Sequence, residues 1–126
     1  MIKIGICMKL LFICVGNTCR SQMAEAIARH IGHNAVSAGT NPGIEIAPNS
    51  IIVLSELDII IKGQYPKSID SINLIGFDKI ISMGCGVECP KIRIDEDWNL
   101  VDPFGKDINF YRKTRDKISN YLSRLE

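Results

Sequence analysis

The sequence predicts an α/β domain: a doubly wound, four-stranded parallel sheet with helices on both faces. Two observations carry this. Short apolar runs ended by glycine or polar residues alternate with longer stretches whose apolar residues recur at helical spacing. The chain has 126 residues, 46% hydrophobic and 23% charged, which suits one ordinary core and a single domain over residues 1–126. Residues 1–8 are readable as an N-terminal extension, because Met8 stands just before the first strand.

The elements follow in order. KLLFI (9–13) has few polar breaks, as in a strand buried on both faces. SQMAEAIARHIG (21–32) is a helix with Met23, Ala26, Ile27, His30 and Ile31 at helical spacing and Gly32 as its C-terminal stop. NAVSAG (34–39) is a second strand closed by glycine. APNSIIVLSELD (47–58) is a helix with Pro48 in its first turn. SIDSINL (68–74) is a shorter helix and FDKIISM (77–83) a third buried strand. KIRIDEDWNL (91–100) holds the fourth strand. DINFYRKTRDKISNYLSRLE (107–126) is amphipathic, with Ile108, Tyr111, Ile118, Leu122 and Leu125 on one face.

A net charge of +1 gives no reason to expect a nucleic-acid or membrane partner. No apolar run approaches the roughly 18 residues of a membrane span. Lys9 interrupts the apolar opening and no small-residue cleavage site follows, so it is not read as a signal peptide. The five cysteines, odd in number and unevenly spaced, argue against a secreted disulfide scaffold and for a cytoplasmic protein with reduced thiols. A monomer is expected.

In a parallel sheet, ligands bind beyond the carboxyl ends of the strands. The first strand ends at Cys14 and the third just before Cys85, so both cysteine-bearing loops are expected on one sheet edge. Between Cys14 and Ser21 the chain reads C-V-G-N-T-C-R-S. Gly16 and Asn17 tolerate left-handed backbone that turns successive N–H groups inward. With the helix N-terminus they make an oxyanion nest from Val15, Gly16, Asn17, Thr18, Cys19, Arg20 and Ser21. Arg20 offers a planar fork for two oxygens of a tetrahedral anion. The same positive field favours Cys14 as a thiolate nucleophile, with Ser21 as a hydrogen-bond donor to it. The alternative is a buried structural cysteine beside a surface arginine.

Displacing oxygen from an oxyanion requires a proton for the leaving oxygen. Asp102 in VDPFG (101–105) offers one on a turn stiffened by Pro103. Asp95, Glu96 and Asp97 are rival acids that read better as a strand end or solvated face. His30 and His33, at or beyond a helix end, read as surface or capping residues. Cys19 reads as loop-shaping and Cys7 as a bystander. Cys85 and Cys89 in MGCGVECP (83–90) are four apart, and three readings stay open: redox thiols serving Cys14, zinc ligands together with Cys14 and Cys19, or inert residues. A zinc knuckle would leave Arg20 without a purpose.

The segment Cys14–Glu25, with SAGT (37–40), PKSID (66–70), MGCGVECP (83–90) and EDWNLVDPFGK (96–106) in the same order, resembles arsenate reductases built on the low-molecular-weight protein tyrosine phosphatase fold. The first motif is shared with the phosphatases; the paired cysteines and the early Asp-Pro turn favour the reductases. The resemblance implies a relay. Cys14 attacks arsenic(V) held by the loop and Arg20, and Asp102 protonates the departing oxygen. Cys85 attacks the Cys14 sulfur as arsenite leaves, and Cys89 then takes the disulfide to Cys85–Cys89. No bound cofactor is implied; an external reductant is, either thioredoxin or a low-molecular-weight thiol. The thioredoxin-coupled members have a longer spacer between their last two cysteines. The short Cys-Gly-x-x-Cys-Pro form here looks more like small-thiol members. Some members also hold potassium beside the loop. Asn17, Glu25 and Ser37 match three of its ligands, while Lys67 stands where an acidic ligand is expected, so its ammonium is expected to replace the ion. The alternatives are a phosphatase hydrolysing phosphate monoesters, and a non-enzymatic redox or zinc-binding module.

Overall fold

A computed structural model describes residues 7–84 and 91–125. Strands β1 (Lys9–Cys14), β2 (Asn34–Gly39), β3 (Lys79–Ser82) and β4 (Glu96–Asp97) form one sheet in the order β2-β1-β3-β4. Every pairing is parallel. Helices α1 (Arg20–His30), α2 (Pro48–Ser55) and α3 (Ile108–Ser123) complete the fold with a 3₁₀ turn at Ile69–Ser71.

Local chemistry sets the boundaries. Helix α1 ends where Gly32 takes φ +104°. The Gly32 N–H donates to the Arg29 carbonyl and the His33 N–H to that of Ala28, the paired bonds of a Schellman motif. His33 Nδ1 accepts the Met8 N–H at 3.1 Å, tying the entry of β1 to the end of α1. Helix α2 begins at Pro48, one residue later than expected, and stops at Ser55, three short of the expected 58. Asp107 caps α3 by accepting the Phe110 N–H at 3.0 Å. The expected helix over 68–74 is one 3₁₀ turn, capped by the Ser68 side chain. Beyond it Ile72 is extended, as suits a β-branched residue that loses side-chain freedom in a helix.

Alternation along β1 separates two cores. Leu10, Phe12 and Cys14 pack with residues of all three helices and with Trp98. Leu11 and Ile13 pack with Phe77 and Ile80 on the opposite face. That second face is covered by the 3₁₀ turn and by extended chain carrying Ile72, Leu74, Ile92 and Ile94. Tyr111, Ile118, Leu122 and Leu125 of the expected α3 stripe are buried, and Ile108 is partly so. The order places β1 and β3 side by side with connections departing in opposite directions. Their carboxyl ends therefore frame the crevice where such sheets bind ligands.

Candidate active site

Cys14 is the last residue of β1 and Arg20 the first of α1; the loop between them crosses the crevice. Asn17 alone of the loop takes a left-handed conformation, φ 54°. Gly16, which tolerates the same region, does not take it. Asparagine tolerates this region better than most residues.

The loop carbonyls show which way it faces. Those of Cys14, Val15 and Gly16 accept the N–H groups of Thr40, Asn41 and Gly43 at 2.9–3.1 Å, and that of Thr18 accepts Ala47. Gln22 Nε2 donates to the Asn17 carbonyl at 3.0 Å. Across a trans peptide, a carbonyl and the following N–H point in opposite directions. Carbonyls tied outward to 40–47 and to Gln22 therefore leave the N–H groups of residues 15–19 turned inward. The Asn17 N–H demonstrates this by donating to Cys14 Sγ at 3.1 Å. The buttress at 40–47 was not legible from loop residues alone. Its signal lies in two glycines: a Cβ on Gly39 would stand 2.4 Å from the Val15 oxygen, and one on Gly43 2.8 Å from Thr18 Cγ2.

Cys14 is buried, with Sγ 2.7 Å from Ser21 Oγ. Asn17 Nδ2 donates to Ser21 Oγ at 2.7 Å and to Ser37 Oγ at 3.0 Å. The Ser21 hydroxyl is thus acceptor to Asn17 and free to donate to the sulfur. Asn17 Oδ1 accepts Gln22 Nε2 at 3.1 Å and the Lys67 N–H at 2.9 Å. Gln64 Nε2 fixes Gln22 by donating to its Oε1 at 2.9 Å. Neither glutamine was singled out in the sequence.

Arg20 is buried beneath the β1–β3 crevice. Its NH1 donates to the carbonyls of Met83, Gly84 and Leu100 at 3.3, 3.0 and 2.8 Å. Its Nε is buried and has no hydrogen-bond partner among the described residues, and its NH2 lies 3.8 Å from Asp102 Oδ2. NH1 therefore anchors the guanidinium, while the Nε–NH2 edge is the pair of donors that could grip two oxygens. Asp102 is half exposed. Its Oδ1 accepts the Phe104 N–H at 3.1 Å, the side-chain turn expected of Asp-Pro. The rival acids are occupied: Asp95 accepts the Ile80 N–H, Glu96 accepts Lys79 and Trp98, and Asp97 accepts the Asn99 N–H. They close the end of a strand, as their clustering suggested.

Cys19 lies 3.6 Å from both Tyr111 Oη and Thr18 Oγ1. Burial pushes its thiol pKa up, and burial followed by the contact with Cys19 pushes up that of Tyr111. Cys19 is packed into the base of the loop by these contacts. His30 is exposed in the last turn of α1. Cys85 and Cys89 lie outside the described residues.

The potassium ligands implied by the resemblance do not fit an ion here. Both donors of the Asn17 amide and both acceptor positions of its oxygen are committed, and the Ser37 hydroxyl is donated to Glu25. Lys67 Nζ stands 3.8 Å from Glu25 Oε1. A monovalent cation about 4 Å from that ammonium would meet roughly 4 kcal/mol of repulsion at an effective dielectric constant of about 20. Among the described residues, no three His, Cys, Asp or Glu side chains are grouped to hold a metal.

The family model described as low molecular weight phosphotyrosine protein phosphatase matches residues 9–126. A protein of Synechocystis sp. named glutaredoxin arsenate reductase is 35% identical over 93% of this chain and 95% of its own. An arsenate reductase of Staphylococcus aureus is 33% identical over 91% of this chain and 93% of its own. A solved structure described as an arsenate reductase in the phosphate binding state superposes with a TM-score of 0.85 at 34% identity, over 94% of this chain and 95% of that one.

Proposed function

The chain belongs to the low molecular weight phosphotyrosine protein phosphatase family, and within it we propose that it is an arsenate reductase that passes two electrons from its own thiols to arsenic. The observation that carries this reading is Cys14 Sγ at the base of a loop whose carbonyls are tied outward, with the Arg20–Asp102 pair beside it. The names of the relatives favour reduction over phosphate-ester hydrolysis.

In this reading the inward N–H groups and the Nε–NH2 edge of Arg20 hold the arsenate oxygens. They offset the charge that builds as sulfur attacks. The Ser21 hydroxyl and the Asn17 N–H hold Cys14 as the attacking thiolate. Asp102 gives its proton to the departing oxygen, which leaves as water. Cys85 then attacks the Cys14 sulfur. The S–As electron pair stays on arsenic, arsenite departs, and a Cys14–Cys85 disulfide remains. Cys89 attacks Cys85 and frees Cys14. An external thiol reduces the Cys85–Cys89 disulfide. We assign that role to a low-molecular-weight thiol system, supported by the short Cys85–Cys89 spacer and by the glutaredoxin in the Synechocystis protein's name. A reducing, cytoplasmic setting and a monomer accord with this chemistry. No helix among the described residues is long and apolar enough to cross a membrane.

The test is steady-state arsenite production with a small thiol plus glutaredoxin, against thioredoxin, alongside an aryl phosphate. Turnover of arsenate, abolished in Cys14→Ser, Cys85→Ser and Cys89→Ser, is expected. Aryl phosphate hydrolysis untouched by loss of Cys85 and Cys89, without arsenite, would make the protein a phosphatase instead.

A further inference from the structure

Beneath the oxyanion loop lies a carboxylate that takes no part in the steps above. Glu25, on α1, is 1% exposed. Its Oε2 pairs with Arg29 NH2 at 2.9 Å, and its Oε1 accepts the Ser37 hydroxyl at 2.7 Å. Ser37 Oγ accepts Asn17 Nδ2, and the Asn17 N–H reaches the Cys14 sulfur. Glu25 therefore supports the nucleophile through two intermediaries.

A carboxylate taken out of water needs cations close by. Lys67 supplies one, 3.8 Å from Oε1 with its side chain only 17% exposed. The ammonium is confined further by the Tyr65 carbonyl at 3.3 Å and by the Tyr65 ring, 4.9 Å from its centroid. The Lys67 backbone joins the same network. Its N–H donates to Asn17 Oδ1 and its carbonyl accepts the Gly39 N–H at 2.8 Å. A short parallel bridge between Gly39 and Ser68 holds this segment against the edge of β2.

We propose that Lys67 is a positioning residue: its ammonium is a built-in cation beside Glu25, and the geometry of the Cys14 loop is thereby independent of any bound alkali ion. The inference rests on the oxyanion-loop reading, but melting temperature reads the Glu25 network without catalysis. A blank arsenate assay would sink the reductase reading and leave the melting arms to decide this one.

The experiment compares the wild-type protein, Lys67→Met and Lys67→Arg in sodium and potassium chloride at equal ionic strength, by melting temperature and by arsenate kcat and KM. Wild type is expected to show the same values in both salts. Lys67→Met, which keeps most of the stem and loses the charge, is expected to melt lower and lose about tenfold in kcat/KM. Lys67→Arg is expected to stay near wild type. A wild-type protein that gains melting temperature or activity on exchanging sodium for potassium would overturn the proposal, and needs no variant to fold. So would a Lys67→Met protein indistinguishable from wild type.

Discussion

Asn17 concentrates more of the site than any other single residue. Its left-handed φ turns the loop, and its amide makes four hydrogen bonds, to Ser21, Ser37, Gln22 and the Lys67 N–H. Asn17→Ala leaves these partners unpaired and puts a Cβ-bearing residue without local compensation at positive φ. It is expected to cost on the order of 3 kcal/mol, read as a lower denaturation midpoint, and to reduce kcat/KM. Asn17→Gly, which accepts the backbone, should recover part of the stability and little of the activity. Gly39→Ala drives a methyl against the Val15 oxygen and Asn17 and is expected to cost about 1–3 kcal/mol; its arsenate KM should rise as the loop shifts. At this scale the loop that the sequence singled out is the one that crosses the β1–β3 crevice. Cys14, Asn17, Arg20 and Ser21 each carry chemistry that fits their spacing. Gly39, Gly43, Gln22 and Gln64 stayed hidden because they act across the fold, by close approach or by bonding Asn17, and no local pattern marks such contacts.

The elements hold this loop at both ends. The segment 40–47 takes its carbonyls, while the chain just after β3 and after β4 takes Arg20. Strand β4 is only Glu96–Asp97, and side chains reinforce its short backbone pairing. Lys79 and Trp98 Nε1 donate to Glu96. Burial alone raises the Glu96 carboxyl, but the bonds from Lys79 and Trp98 outweigh it and the pKa is lowered. At the α2–α3 contact, hydrogen bonds from Arg112 and then Arg115 outweigh desolvation and likewise lower that of Glu56. A lowered carboxyl stabilises the fold above its unfolded pKa, and that stabilisation is lost as pH falls through the folded pKa. Melting temperature is therefore expected to fall between about pH 5 and pH 3, and the fall should be shallower in Glu96→Gln. A profile identical to wild type would remove Glu96 from this account. The long elements were legible because their apolar period repeats. The 3₁₀ turn and the two-residue strand were not, since they are shorter than one period and depend on caps and cross-strand side chains.

Over the whole molecule, β1 is the axis. Phe12 is fully buried, its ring centroid 5.7 Å from that of Trp98, which stacks on Tyr121 of α3 at 4.8 Å. This column joins the sheet to the last helix just behind the Cys14 loop. Phe12→Ala is expected to cost about 3–5 kcal/mol in chemical denaturation, with arsenate affinity weakened in proportion to the loosening of the loop. The alternation of strand and helix made the architecture readable, and the parallel order then placed Cys14, Arg20 and Asp102 at one sheet edge. The thiol relay is the central claim, and counting thiols tests it most directly. Fully reduced, metal-free protein is mixed with arsenate and no added reductant, with phosphate as control, and disulfides are mapped by mass spectrometry. The account predicts loss of two thiols per chain with arsenate alone, mapped to Cys85 and Cys89. Thiols left intact by arsenate would contradict it.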